Sequence, residues 1–223
     1  EGAFNFGALE FGADGMVFVM QEQCLQVGSA GGGMGYENIA GQSIGLEFDT
    51  YQNVGSPSND PVYDHLALHQ MGSIDHLINL AGPFQIHATK ANVEDGLWYD
   101  FLIEYDPVNQ LIEVYVAGSL RLSHNINLKQ DIFNGNPYVY WGFTSATGGH
   151  YAANLVRIDD NTSLNFLDDT ICSGTTSLTL PPLAGTNVAF AKASNSSSNQ
   201  QGGAGPPYSN YAFDGNLQSR WSS

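Results

Sequence analysis

The run GLEFDTYQN, residues 45–53, sets Glu47, Asp49, Tyr51 and Asn53 at every second position. On an extended strand such side chains share one face, with neighbours about 6.5–7 Å apart from the rise per residue. Two carboxylates held that close repel, so one takes up a proton or a counter-charge sits between them. Asp60-Pro61 follows seven residues after Asn53, and His65 five after Asp60. Hard carboxylate and amide oxygens suit Ca2+, whereas carboxylates with one imidazole suit Mn2+ or another transition ion. The set divides between two cations that share Asp49 and Asp60. Glu-x-Asp alone decorates many solvent-facing strands, and His65 alone would be an ordinary strand residue. The ordered supply of carboxylate, amide and imidazole across residues 47–65 raises the metal reading above that one.

The elements around this run are strands. Tyr99, Phe101, Ile103 and Tyr105 alternate with Asp100, Leu102 and Glu104; after the turn at 106–110, Ile112, Val114 and Val116 alternate with Glu113 and Tyr115. Period-two alternation around a Pro/Asn turn predicts a β-hairpin. Further strands are expected at 16–20, 43–51, 65–70, 138–143 and 152–158. Helical periodicity is absent, so the chemistry predicts an antiparallel β-sandwich.

Composition narrows the function. Only 6 Lys+Arg stand against 22 Asp+Glu, a net charge of -16, which excludes a phosphate backbone as partner and suits an extracellular protein that recruits cations. No apolar run is long enough to span a bilayer. Cys24 and Cys172 could form one disulfide in a secreted protein. After Ile158 the chain turns polar, then Ser/Thr-rich up to Pro181-Pro182, and residues 193–205 are dominated by Ser, Asn, Gln and Gly. The expected organisation is a sandwich at 1–158, a linker at 159–184, and a segment at 185–223 too short for a core of its own.

GLEFDTYQN followed by DPVYDH resembles the metal-binding signature of the legume-type (L-type) lectins. GADGMVFVM, AGGGMGY and WGFTSATGGH resemble, in order, that family's Ala-Asp-Gly loop, glycine loop and the strand and loop closing the sugar site. The resemblance implies a concanavalin A-like jelly roll and calcium-dependent binding of glycans by a secreted or cell-surface lectin or adhesin. It implies that Glu47, Asp49, Asp60 and His65 hold a transition metal such as Mn2+, and that Asp49, Asn53, Asp60 and the carbonyl of Tyr51 hold Ca2+. It makes Asp14, after a cis peptide bond, the carboxylate that accepts from two sugar hydroxyls. Asn53 and a backbone N–H at Gly32 or Gly33 complete the polar set; Gly148, Gly149 and His150 supply the variable loop, and Tyr51 or Tyr36 the stacking surface.

The sequence departs from the pattern in three places. LALHQ replaces the family's Gly-Ile-Asp run after His65, which changes the surroundings of the transition-metal site; His69 could contribute there, although a histidine on a strand face is more often structural. Only about a dozen residues precede the Ala-Asp-Gly loop, so leading strands of both sheets are expected to be missing and the chain to belong to a larger multidomain protein. The tail resembles the opening of a discoidin-type (factor 5/8 C) domain through Ala212, Asp214, Gly215, Asn216, Ser219 and Trp221. Two other functions compete. A sandwich-fold β-glucanase needs a third carboxylate where Tyr51 stands, and a spacer or protein-interaction module would keep the fold without sugar affinity. GQSIG, residues 41–45, matches a nucleophile elbow but leads into a strand rather than a helix.

Overall fold

The computed structural model describes residues 1–23 and 26–159. Among them ten strands form two antiparallel sheets: β1 Gly2–Asn5, β2 Gly15–Gln21, β3 Ser43–Asp49, β4 His65–Gln70, β5 Ala81–Gln85, β6 Tyr99–Asp106, β7 Leu111–Val116, β8 Ser119–Asn125, β9 Tyr140–Ala146 and β10 Leu155–Ile158. One sheet has the order β10-β1-β6-β7-β8, the other β5-β4-β3-β2-β9. The fold is the expected all-β sandwich, with one short 3₁₀ turn at Gly31–Gly33 and one π turn at Leu128–Ile132.

Side-chain alternation builds the core. Ile44, Leu46 and Phe48 of β3 and Leu66 and Leu68 of β4 join Phe4, Phe101, Val114 and Phe143 in one apolar cluster. Phe4 stacks on Phe101 at 5.6 Å between centroids and meets Phe48 at 5.1 Å, so its ring ties the two sheets together. The predicted hairpin forms with Phe101 opposite Val116 and Asp106 opposite Leu111.

The other face of β3 is not exposed. All seven residues of the strand are buried, because the segment before it folds back over the sheet. Met34, Tyr36 and Ile39 pack there with Val17, Val19 and Ile74 as a second, smaller cluster. Glu47 and Asp49 therefore sit under a cap, 1% and 3% exposed, and the solvent-facing alternative for them falls.

Some strand limits differ from expectation. β3 stops at Asp49 because its Oδ1 accepts the Tyr51 N–H at 2.7 Å, an Asx turn that bends the chain away. Tyr51 and Asn53 consequently lie on the following loop and do not continue the strand face. β9 begins at Tyr140 and runs to Ala146, since it pairs along the whole of β2, from Gln21 opposite Tyr140 to Gly15 opposite Ala146. β10 is confined to Leu155–Ile158, the length over which it meets the four-residue β1. Three strands carry no usable alternation: β1 is too short, β5 contains Pro83 at a sheet edge, and β8 is a polar edge strand of the other sheet. The tail motif, the segment 185–223, Cys24 and Cys172 lie outside the described residues.

Candidate functional site

The acidic centre grows from strand pairing. Glu47 on β3 stands opposite Ala67 on β4, and Asp49 opposite His65. Ala67 carries only a methyl, so His65 and His69 lean in from either side of it along the same face. His65 Nε2 lies 3.1 Å from Glu47 Oε1, and His69 Nε2 lies 3.2 Å from Oε2. A third imidazole arrives from the segment after β4: His76 Nε2 is 2.7 Å from Glu47 Oε1. Asp60 Oδ1 closes the group, 3.9 Å from His65 and 3.6 Å from His76 Nδ1. Burial works to raise the Glu47 pKa, but the surrounding imidazoles outweigh it and hold this carboxylate well below its ordinary range.

Asp49 is the opposite case. Burial first, then the charges of Glu47 and Asp60, push it well above the ordinary carboxylate range. Crowded carboxylates compete here, and a proton or a cation resolves the competition. The loop is preorganised for the second option: Asn53 N–H donates to Asp60 Oδ2 at 2.6 Å and Gln52 Nε2 to the Asp60 carbonyl at 3.3 Å. Asp60 Oδ1, Asn53 Oδ1 and Asp14 Oδ2 are buried oxygens with no hydrogen-bond partner. Buried oxygens without a partner, drawn from three segments, are of the kind that a hard cation or a hydrogen-bonding ligand satisfies.

Asp14 reaches the centre from the other side. The Ala13–Asp14 peptide is cis. The Asp14 N–H donates to the Ala146 carbonyl at 3.1 Å, and its carbonyl accepts from Thr50 N–H at 3.0 Å. Ser145 Oγ and Asn154 Nδ2 both donate to the next carbonyl, Gly15, at 2.7 and 3.0 Å. Burial raises the Asp14 pKa to about 6, against the pull of His150. The loops above it are bare by composition. A Cβ on Gly148 would stand 3.7 Å from Asp14 Oδ2, and one on Gly32 would stand 2.8 Å from Asn53 Oδ1.

The structure thus brings Asp14, Gly32, Asn53, Gly148 and His150 together beside Glu47, Asp49, Asp60 and His65. Four of the expected assignments change or narrow. Gly33 packs inward, where a Cβ would lie 2.8 Å from the Ser29 side chain, and its N–H donates to Ala30; Gly32 is the glycine that faces Asn53. Tyr36 is 0% exposed and is no stacking surface, whereas Tyr51 is half-buried against His150, with ring centroids 5.1 Å apart. Gly149 lies farther out, with Leu9, Phe11, His150 and Tyr151 around a surface cavity of about 260 Å³. His69 is part of the acidic centre rather than an ordinary strand residue. His76 was missed altogether; its one signal is a third histidine soon after His65 and His69.

Fold and site together define a jelly-roll sandwich of the legume-lectin type, with an acidic centre beneath three loops. A family model described as the legume lectin beta-barrel domain matches residues 1–160, and the chain belongs to that family. Similar solved structures include basic winged bean lectin with Tn-antigen, at 21% identity and a TM-score of 0.54 over 70% of this chain and 65% of that one. Another is a lectin from Bauhinia forficata in complex with GalNAc, at 20% identity and 0.53 over 70% and 67%. Winged bean acidic lectin complexed with methyl-alpha-D-galactose shares 26% identity, at 0.52 over 67% and 61%. The chain spans 65% of the first of these lectins.

Proposed function

We propose that this chain is a calcium-dependent carbohydrate-binding lectin module. The observation that carries the reading is the pair of buried, unpartnered oxygens Asp14 Oδ2 and Asn53 Oδ1, lying against two glycines that leave space for a ligand. Asp14 accepts hydrogen bonds from sugar hydroxyls. Asn53 Nδ2 and the Gly32 N–H donate to them, and Tyr51 with His150 offers a flat surface to the apolar face of the ring. Asp49, Asn53, Asp60 and the Tyr51 carbonyl are the ligands for Ca2+; Glu47, Asp49, Asp60 and His65 mark the transition-metal position. Bound cations neutralise the carboxylates and hold the loop of Asn53 and Asp60 beside Asp14.

The site is one of binding rather than hydrolysis, since Tyr51 stands where a glucanase would carry its third carboxylate. An extracellular, multidomain setting with a discoidin-type segment after the linker is part of the same proposal, supported by the acidic composition and the tail motif.

The test is a glycan array probed with Ca2+ and with EDTA, with Tn-antigen, GalNAc and methyl-α-D-galactose, named for the similar lectins, as first probes. Binding is expected with Ca2+ alone, and Asp14→Ala should abolish it with an unchanged circular dichroism spectrum. Metal-independent binding would refute the calcium role, and silence across the array would leave a spacer module.

A further inference from the structure

The surroundings of Glu47 are richer in nitrogen than the sequence signature requires. Three imidazoles from two segments converge on this one carboxylate, at 2.7, 3.1 and 3.2 Å. All three are buried: the His65, His69 and His76 side chains are 2%, 0% and 5% exposed. Their rings are mutually close, His65 to His76 at 4.8 Å and His69 to His76 at 5.3 Å between centroids. His69 Nδ1 and His76 Nδ1 have no hydrogen-bond partner, and His69 Nε2 faces Glu47 Oε2. A fully buried imidazole against a buried carboxylate is costly unless a proton or a cation couples the two. Ligand atoms of Glu47, His69 and His76, and of Asp60, His65 and His76, each fall within 4.8 Å of one another.

We propose that the position beside Glu47 is a nitrogen-rich centre in which His69 and His76 join Glu47 to select a later first-row ion of the zinc class over Mn2+. Carboxylates with water suit Mn2+, whereas each added imidazole favours Zn2+, Ni2+ or Cu2+. Two imidazoles and one carboxylate are the protein ligands of an open zinc centre, whose fourth position water takes. Asp60 and His65 meet His76 in a second group, and Asp60 is also tied to Asn53 through its Oδ2. The selectivity comes from His69 and His76, which lie outside the motif read from the sequence. The inference rests on the proposed two-cation reading only for the ion's location; it requires no sugar binding.

Two measurements on the metal-stripped full chain test it, both with Ca2+ present to fill the other position. Electron paramagnetic resonance of bound Cu2+ counts coordinated nitrogens without any substitution: two or more are expected, and a single one or none would overturn the proposal. Competition calorimetry with Zn2+ and Mn2+ then compares the wild type with His69→Ala and His76→Ala. Each variant is expected to lose about 10–100-fold in Zn2+ affinity with Mn2+ affinity changed less than about threefold. Unchanged Zn2+ affinity in both variants would overturn the proposal and return the site to Glu47, Asp49, Asp60 and His65. Should a variant fail to fold, the nitrogen count on the wild type still decides. Glycan binding in Ca2+ alone is read separately, so failure of the lectin reading and failure of this one are told apart.

Discussion

The ring of Tyr36 fills the space that a side chain on Gly45 would occupy: a Cβ there would stand 2.7 Å from the Tyr36 Cζ. The hydroxyl of Tyr36 accepts the Gly72 N–H at 3.2 Å, so the ring also anchors the turn after β4. A strand glycine thus permits the glycine loop to lie close over the metal-bearing sheet. Gly45→Ala is expected to destabilise the domain by about 1–3 kcal/mol through overpacking. Urea unfolding in saturating metal measures this, and a loss below about 0.5 kcal/mol would mean that the loop shifts freely.

Gly32→Ala addresses the ligand side of the same loop. The new methyl would press on Asn53 Oδ1 from 2.8 Å, displacing the amide that the proposed site uses twice. Affinity for whichever glycan binds should fall at least about tenfold, a cost on the order of 1.4 kcal/mol. The melting temperature should stay within a few degrees. A stability loss without an affinity loss would move Gly32 out of the binding set.

Chelation should lower stability as well as binding. Besides burial, the charge of Asp60 raises the pKa of Asp14, and the charges of Glu47, Asp60 and Asp14 raise that of Asp49, so relief of this repulsion is the stabilising contribution expected of a bound cation. At free Ca2+ of 100 times its dissociation constant, one site contributes about 2.7 kcal/mol. Differential scanning calorimetry with EDTA and with graded Ca2+ should show a melting temperature that climbs with the logarithm of concentration. A midpoint indifferent to Ca2+ would remove the ion from the site.

Glu94 gives the domain a pH dependence of its own. It is 4% exposed with both carboxylate oxygens unpartnered; burial, then the charge of Asp64, pushes its pKa up to about 8. The folded chain therefore keeps a proton that the unfolded chain releases near 4.5. This contribution is fully present below pH 4.5 and is lost as pH rises through about 8. Glu94→Gln should remove that falling limb, so the variant gains stability relative to the wild type as pH rises from 5 to 8. Parallel unfolding curves for the two chains over that range would contradict the assignment.

The legible parts of this molecule are those governed by period-two alternation or by short-range spacing. The hairpin of β6 and β7 and the strand at 65–70 follow directly from their residues, and the ordered carboxylates, amide and imidazole of 47–65 come together as their spacing implied. The continuation of the strand through Tyr51 did not, because a side-chain-to-backbone bond from Asp49 competes with the ladder. The role of Tyr36 was misjudged, since an aromatic beside three glycines reads as a ligand platform when it is in fact the anchor of their loop. His76 sits in an irregular turn with no periodicity to place it, and only β4 doubling back beneath that turn brings it to Glu47. Glu94 gave no local sign of its burial; its neighbours come from the segments at Gly12 and Asp64, distant in sequence.

Asp14 precedes the first residue of β2, Thr50 follows the last of β3, and Ala146 ends β9, three strands that lie side by side. The hydrogen bonds of Asp14 to Thr50 and Ala146 continue that ladder by one rung beyond its edge. The position of Asp14 is thus inherited from the pitch of the sheet, about 4.8 Å per strand, and not from the loops. The segment carrying Gly148 to His150 is, by the same token, an interchangeable fitting. In the proposed lectin, lengthening or replacing it should alter what binds above Asp14 while the carboxylate keeps its place.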